Sequence, residues 1–173
     1  MIRYPTETIK IPDEHIPGMD ELYRLVGIVM RNAQAIERNL SIVIYYDRIL
    51  SVFDENDEVP KEEFNENHES ADKLYDDMSW MTMGDILKLA KETPSLDQGI
   101  VDRLSRVMKH RNYVAHRMFK DRMFEVGRSE TQRQLSSIKR RMSEEINISL
   151  DLNNDLLTII GKLREEYRKI GQV

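Results

Sequence analysis

The sequence predicts an all-α protein, a four- to five-helix bundle with an extended N-terminal arm. Three observations carry that reading. Apolar residues recur at three- and four-residue spacing through most of the 173 residues. Phrases in which Ser or Thr is followed three residues later by an acid or amide, the pattern of a helix-opening capping box, occur at Thr82, Ser95 and Ser129. Ten methionines against seven glycines and five prolines suit helices better than sheets, and Ile146 to Leu150 is the only short strand candidate.

Residues 1–19 read as the arm. Pro5, Pro12, Pro17 and Gly18 prevent a helix there, and Ile2, Ile9, Ile11 and Ile16 offer apolar contacts to the body. Residues 20–173 read as a single domain. Asp20 is the expected N-cap of a long helix to Phe53, with Leu22, Leu25, Val29, Ala33, Ile36, Leu40, Val43 and Ile44 on one face. Within it Glu37 is a carboxylate able to orient a neighbouring arginine or histidine. The acidic stretch 54–66, which contains Pro60, reads as a loop, with helix resuming near Asn67 and running to about Met78. Thr82 with Asp85 opens a short helix to about Lys91. Ser95 with Gln98 opens the next, to about Phe119. The last segment runs from Ser129 to about Ile170, with a break expected near Asn153-Asn154.

Composition narrows the function classes. With 40% hydrophobic and 33% charged residues the chain has a soluble globular mix. No cysteine is present, which excludes a disulfide scaffold, a thiolate metal site and a cysteine nucleophile, and fits a cytoplasmic setting. No basic-then-apolar leader opens the chain, so no signal peptide is expected. No run approaches the ~18 apolar residues of a membrane span, so no membrane partner is expected. The net charge of −5 hides two blocks. Asp54 to Asp77 carries eleven acids and two lysines, net −9, while Val101 to Arg141 carries twelve Lys or Arg against four acids, net +8. The basic block suits nucleic acid or another polyanion as partner near His116, and by charge alone it reads equally as a solvated basic face.

The chemistry-bearing stretch is Arg111-Asn112-Tyr113-Val114-Ala115-His116. At about 100° per residue, Leu104, Met108, Arg111, Ala115 and Met118 share a narrow arc, with Val101, Val107 and Phe119 at its edges. Arg111 is therefore expected within an apolar stripe, where a guanidinium needs a carboxylate, carbonyls or a phosphate to meet it. Asn112 and His116, four apart, share the shoulder beside it. His110 faces away and reads as a surface histidine. Arg117 and Lys120 flank the stretch as candidate phosphate contacts.

Arg111, Asn112 and His116 resemble the Arg-polar-x3-His signature of the HEPN superfamily, small all-helical domains that include metal-independent ribonucleases of bacterial and archaeal toxin and defence systems. Thr82-Met83-Gly84-Asp85-Ile86-Leu87 is similar to the phrase leading into the second helix of many bacterial members. The resemblance implies a HEPN-like bundle working as a homodimer, with both motif helices building one composite site. It implies endoribonuclease activity by attack of the neighbouring 2′-hydroxyl, leaving 2′,3′-cyclic phosphate and 5′-hydroxyl ends. Arg111, Asn112 and His116 would then be catalytic, and RNA the partner. Two alternatives stay open. One is an inactive HEPN-like module that binds nucleotides or proteins. The other is one half of a toxin–antitoxin pair, silenced by a nucleotidyltransferase-type partner.

Other chemistries lack their residues. There is no H-E-x-x-H, no P-loop and no G-x-G-x-x-G, so neither a metal nor a cofactor is expected. Glu62-Glu63 and Asp76-Asp77 lack the histidines that would complete a metal site. Trp80 and the Tyr45-Tyr46 pair read as core or interface residues rather than base-stacking platforms.

Overall fold

Helix α1, Met19–Leu50, forms because its apolar residues fall on one stripe, and that stripe is what the rest of the chain covers. The computed structural model describes residues 18–51, 53, 61–118 and 129–170. Among these, every regular element is a helix: after α1 come α2 (Lys61–Met78), α3 (Met83–Lys91), α4 (Gln98–His116) and α5 (Ser129–Ile170). Residues 1–17 of the arm and 54–60 of the acidic stretch lie outside the described residues. No helix among the described residues is long and apolar enough to cross a membrane.

Side-chain pairs give the helix directions. Glu21–Lys139, Asn32–Ser149 and Asn39–Asn153 follow the same order along both helices, so the two longest, α1 and α5, run parallel. Arg106–Glu145 and Arg103–Asp155 run in reverse order, so α4 is antiparallel to both. The Asn67 amide donates to the carbonyls of Arg48 and Ile49 while Tyr45 donates to Asp72, which sets α2 antiparallel to α1. α3 climbs back to Ser95, which binds Asp47 near the top of α1. The order is up, down, up, down, up.

Two apolar cores result. The upper one packs Ile36, Leu40 and Val43 of α1 against Ile86, Leu104, Leu152 and Leu156. The lower one packs Met19, Leu22, Leu25 and Val29 against Val114, Met118, Leu135, Ile138 and Met142. Each fully buried side chain of this kind contributes about 1.5–3 kcal/mol. Between the two cores sits a polar layer of buried Asn32, His110, Glu145 and Ser149.

Several boundaries differ from the sequence reading. α1 starts at Met19 with Gly18 as N-cap, not Asp20, because burying Met19 in the lower core draws the helix start back by two residues. Gly18 takes φ 87°, which only glycine adopts at no steric cost, and a Cβ there would lie 2.8 Å from Lys139 Nζ. α2 begins at Lys61, so residues 61–66 are helical rather than loop. Glu62 and Glu63 suit the positive end of a helix, and the Phe64 ring packs edge-on against Phe53 at 5.5 Å. α5 is unbroken through Asn153-Asn154, since Asn153 accepts from Asn39 at 2.8 Å and Leu152 and Leu156 anchor either side. Ile146 to Leu150 is helix within α5.

Candidate functional site

The motif lies on α4, and the start of that helix sets its rotation. Asp97, not Ser95, is the N-cap: its carboxylate accepts from Ile100 N–H at 2.8 Å. Ser95 instead gives both its N–H and its hydroxyl to Asp47 Oδ1, tying the α3–α4 connection to α1. The Thr82–Asp85 box forms as expected, with Asp85 N–H donating to Thr82 Oγ1 at 3.3 Å and the Thr82 hydroxyl donating to Asp85 Oδ2 at 2.6 Å. Ile100, Val101, Leu104, Val107, Met108 and Val114 are buried on α4. At its lower end the chain turns sharply. The N–H groups of Arg117 and Met118 both donate to Tyr113 O at 2.9 Å, and Met118 folds back into the lower core. Burial of Met118 therefore stops the helix, and His116 is left exposed on its last turn.

Arg111 is not entombed in the stripe. It is half-buried, and its guanidinium donates to Asn112 Oδ1 at 3.0 Å in an exposed contact. The long stem covers the apolar edge while the head reaches out. Ala115, expected on the same stripe, is exposed. Asn112 thus meets Arg111 rather than His116. Arg111 and His116 are five residues apart and diverge by about 140° around the axis. Within one chain the three side chains line an open helix end instead of converging. Arg117 is exposed there as the C-cap, and Lys120 lies outside the described residues. His116 and Arg117 form no ion pair or hydrogen bond through their side chains among the described residues, so both are open to a ligand.

Beside this end, α4 and α5 enclose a groove of about 640 Å³, lined by Lys109, His110, Tyr113, Arg106, Arg141 and Glu145 among others. Glu145 is nearly buried and receives three hydrogen bonds from Arg106: Nε at 3.2 Å to each carboxylate oxygen and Nη2 at 2.8 Å to Oε1. That contact holds the Arg106 pKa above its already high value. His110 is 9% exposed, a correction to its reading as a surface residue. Helix α5 closes over it, which a wheel drawn for α4 alone does not show. Its Nε2 is buried without a hydrogen-bond partner. Burial pushes its pKa down, Glu145 pulls it up, and Arg141 and Arg106 push it down again. A void of about 10 Å³ lies behind it, against Val29, Val107, Glu145 and Ser149.

Sequence reasoning missed this polar layer, although one signal was present. On α5 the stripe Leu135, Ile138, Met142, Glu145, Ser149, Leu152, Leu156 keeps three-four spacing, and an acid and a serine at two of its positions mark a buried polar contact. Elsewhere, Glu37 lines a smaller groove with Arg38, Ser41 and Tyr75 between α1 and α2, away from the motif. Trp80 is 90% exposed at the α2–α3 corner and belongs to no core. Tyr45 and Tyr46 pack edge-to-face at 5.4 Å in an aromatic cluster with Tyr75, His68 and Tyr167. Among the described residues no three His, Asp or Glu side chains assemble as a metal ion would need. Comparison with protein-family models, curated proteins and solved structures returned no match.

Proposed function

We propose that this chain is a metal-independent endoribonuclease of HEPN type, acting as a toxin or defence effector on RNA. The observation that carries the reading is the end of α4: an exposed imidazole at His116, five residues beyond a guanidinium that Asn112 steadies at 3.0 Å. An imidazole moves protons at neutral pH, and a guanidinium pairs with equatorial phosphate oxygens as charge builds on them. In the reaction the 2′-oxygen gives up its proton and bonds to phosphorus. The bond from phosphorus to the 5′-oxygen breaks, and that oxygen takes a proton. Because Arg111 and His116 diverge on one helix, a complete site needs a second copy of the motif, and the proposal includes a homodimer. Its contact would use Arg111, Asn112, Ala115 and His116, since Leu104, Met108 and Met118 of the same face are buried in the chain's own core.

The same divergence supports the second reading, a non-cleaving module that binds nucleotides or proteins, including one held by a nucleotidyltransferase-type antitoxin. One experiment separates them. Purified protein is incubated with total RNA in EDTA and the new ends are mapped. Cleavage with cyclic phosphate and 5′-hydroxyl ends, lost in His116→Ala without loss of the folded state, supports the nuclease. Equal activity in both proteins removes His116 from the mechanism. Inertness of both on every RNA selects the binding module.

A further inference from the structure

We infer that the groove between α4 and α5 is a phosphate-binding site, in which a phosphate seats between Lys109 and Arg141 over the His110 ring. The RNA reading above supplies only the source of that phosphate.

Four features point to an anion with oxygen acceptors. The His110 ring lines the groove between the two helices and can carry a positive charge of its own. Lys109 and Arg141 are exposed and, among the described residues, have no ion-pair partner. Glu145, the acid that would repel an anion, is already neutralised by Arg106. Asp102, the other acid in the groove, lies at its upper end and accepts from Gln98 at 2.8 Å. A guanidinium fork and a point-charge ammonium are the usual pair for phosphate. Lys109, Tyr113 and His116 also share one side of α4, at steps of four and three residues. A strand with one phosphate in the groove therefore runs on toward His116.

The site has a proton signature. The charged groups facing His110 are Arg106, Lys109 and Asp102 from α4 and Arg141 and Glu145 from α5, while α1 offers Val29 to the void behind it. Without ligand, burial, Arg141 and Arg106 favour the neutral ring against the pull of Glu145. A phosphate brings negative charge to the ring and favours its protonated form, so binding takes up a proton and tightens as pH falls.

The test uses the full chain carrying His116→Ala, which removes the other imidazole at this end of the helix. Three probes are titrated: a short RNA made uncleavable by 2′-O-methyl groups, AMP, and inorganic phosphate. Replacing both cations (Lys109→Gln with Arg141→Gln) should weaken the oligonucleotide roughly tenfold or more at low salt. It should also flatten the log–log salt slope by about 0.7 per lost contact. His110→Asn, which keeps an amide donor but cannot titrate, should bind at neutral pH and lose the gain seen from pH 7 to 5.5. Displacement of the oligonucleotide by AMP or phosphate identifies a site for phosphate as such. Resistance to both identifies a site for a polynucleotide strand. The inference is overturned if the parent binds none of the probes, or if the double variant binds the oligonucleotide as tightly and as salt-sensitively as the parent. Its fate is separable from that of the nuclease. A chain that binds through Lys109 and Arg141 yet never cleaves keeps the site and loses the activity. One that cleaves with affinity indifferent to both does the reverse.

Discussion

His110 shows how one buried side chain couples stability to pH. Burial, with Arg141 and Arg106, holds its pKa below 6.5 against the opposing pull of Glu145. In the unfolded chain the ring titrates at its ordinary value, so below about pH 6.5 the unfolded state binds the extra proton. The stability is therefore complete above the unfolded pKa and is lost as pH falls toward the folded one. Urea melts should show the wild type losing stability from pH 7 to pH 5, and His110→Gln losing less. Equal losses would remove His110 as the cause. A neighbouring pair makes a second residue-scale prediction. Ser149 Oγ accepts from the Asn32 amide at 3.0 Å and donates to Ile146 O at 2.7 Å. Ser149→Ala strands a buried amide and should cost about 1–3 kcal/mol by urea unfolding. A cost near zero would mean that another group satisfies Asn32.

At the scale of elements, α4 is held in register from both ends. Asp97 caps its start, and burial of Met118 ends it. Because that register decides which side His116 faces, Asp97→Ala should reduce both stability and RNA cleavage. The expected stability cost is ~0.5–2 kcal/mol, read from thermal unfolding. A variant with unchanged melting would show that the cap is dispensable. α5 is the other governing element. At 42 residues, roughly 63 Å, it spans both cores, and its parallel run beside α1 brings Glu145 and Ser149 to the level of Asn32 and His110.

Over the whole molecule the charges are partitioned by the topology. The acidic helix α2 packs along the upper half of α1, with Asn67 at Arg48 and Ile49 and Met78 near Ser41. The basic end of α4 lies at the level of Leu22 and Leu25. On the proposed function, RNA crossing the motif would meet cations and stay clear of the acids. Replacing Arg117 and Lys120 together should therefore weaken RNA binding at low salt and flatten its salt dependence, with little effect on folding. Neutralising acids between Asp54 and Asp77 should not weaken it. A salt titration on the His116→Ala background reads all three, and a slope untouched by Arg117 and Lys120 would put the RNA elsewhere. Light scattering at micromolar concentration should give a dimer mass, and a monomer there would sink the composite site.

Helix content, the short helix opened by Thr82, the two long helices and the divided charge were legible in the sequence. Each depends on local spacing or capping: Leu22, Leu25, Val29 and Ile36 announce a buried face whatever it packs against. The motif residues were legible as types at a spacing, but not their setting. Periodicity alone put Arg111 inside a stripe and His110 outside it. The folded chain leaves the long, flexible arginine at the surface and closes α5 over the compact imidazole. The unbroken run through Asn153-Asn154 was likewise decided by a partner on another helix, Asn39. Periodicity shows which side of a helix is apolar. Which polar group is covered depends on the neighbour across the groove, and only the tertiary arrangement supplies that neighbour.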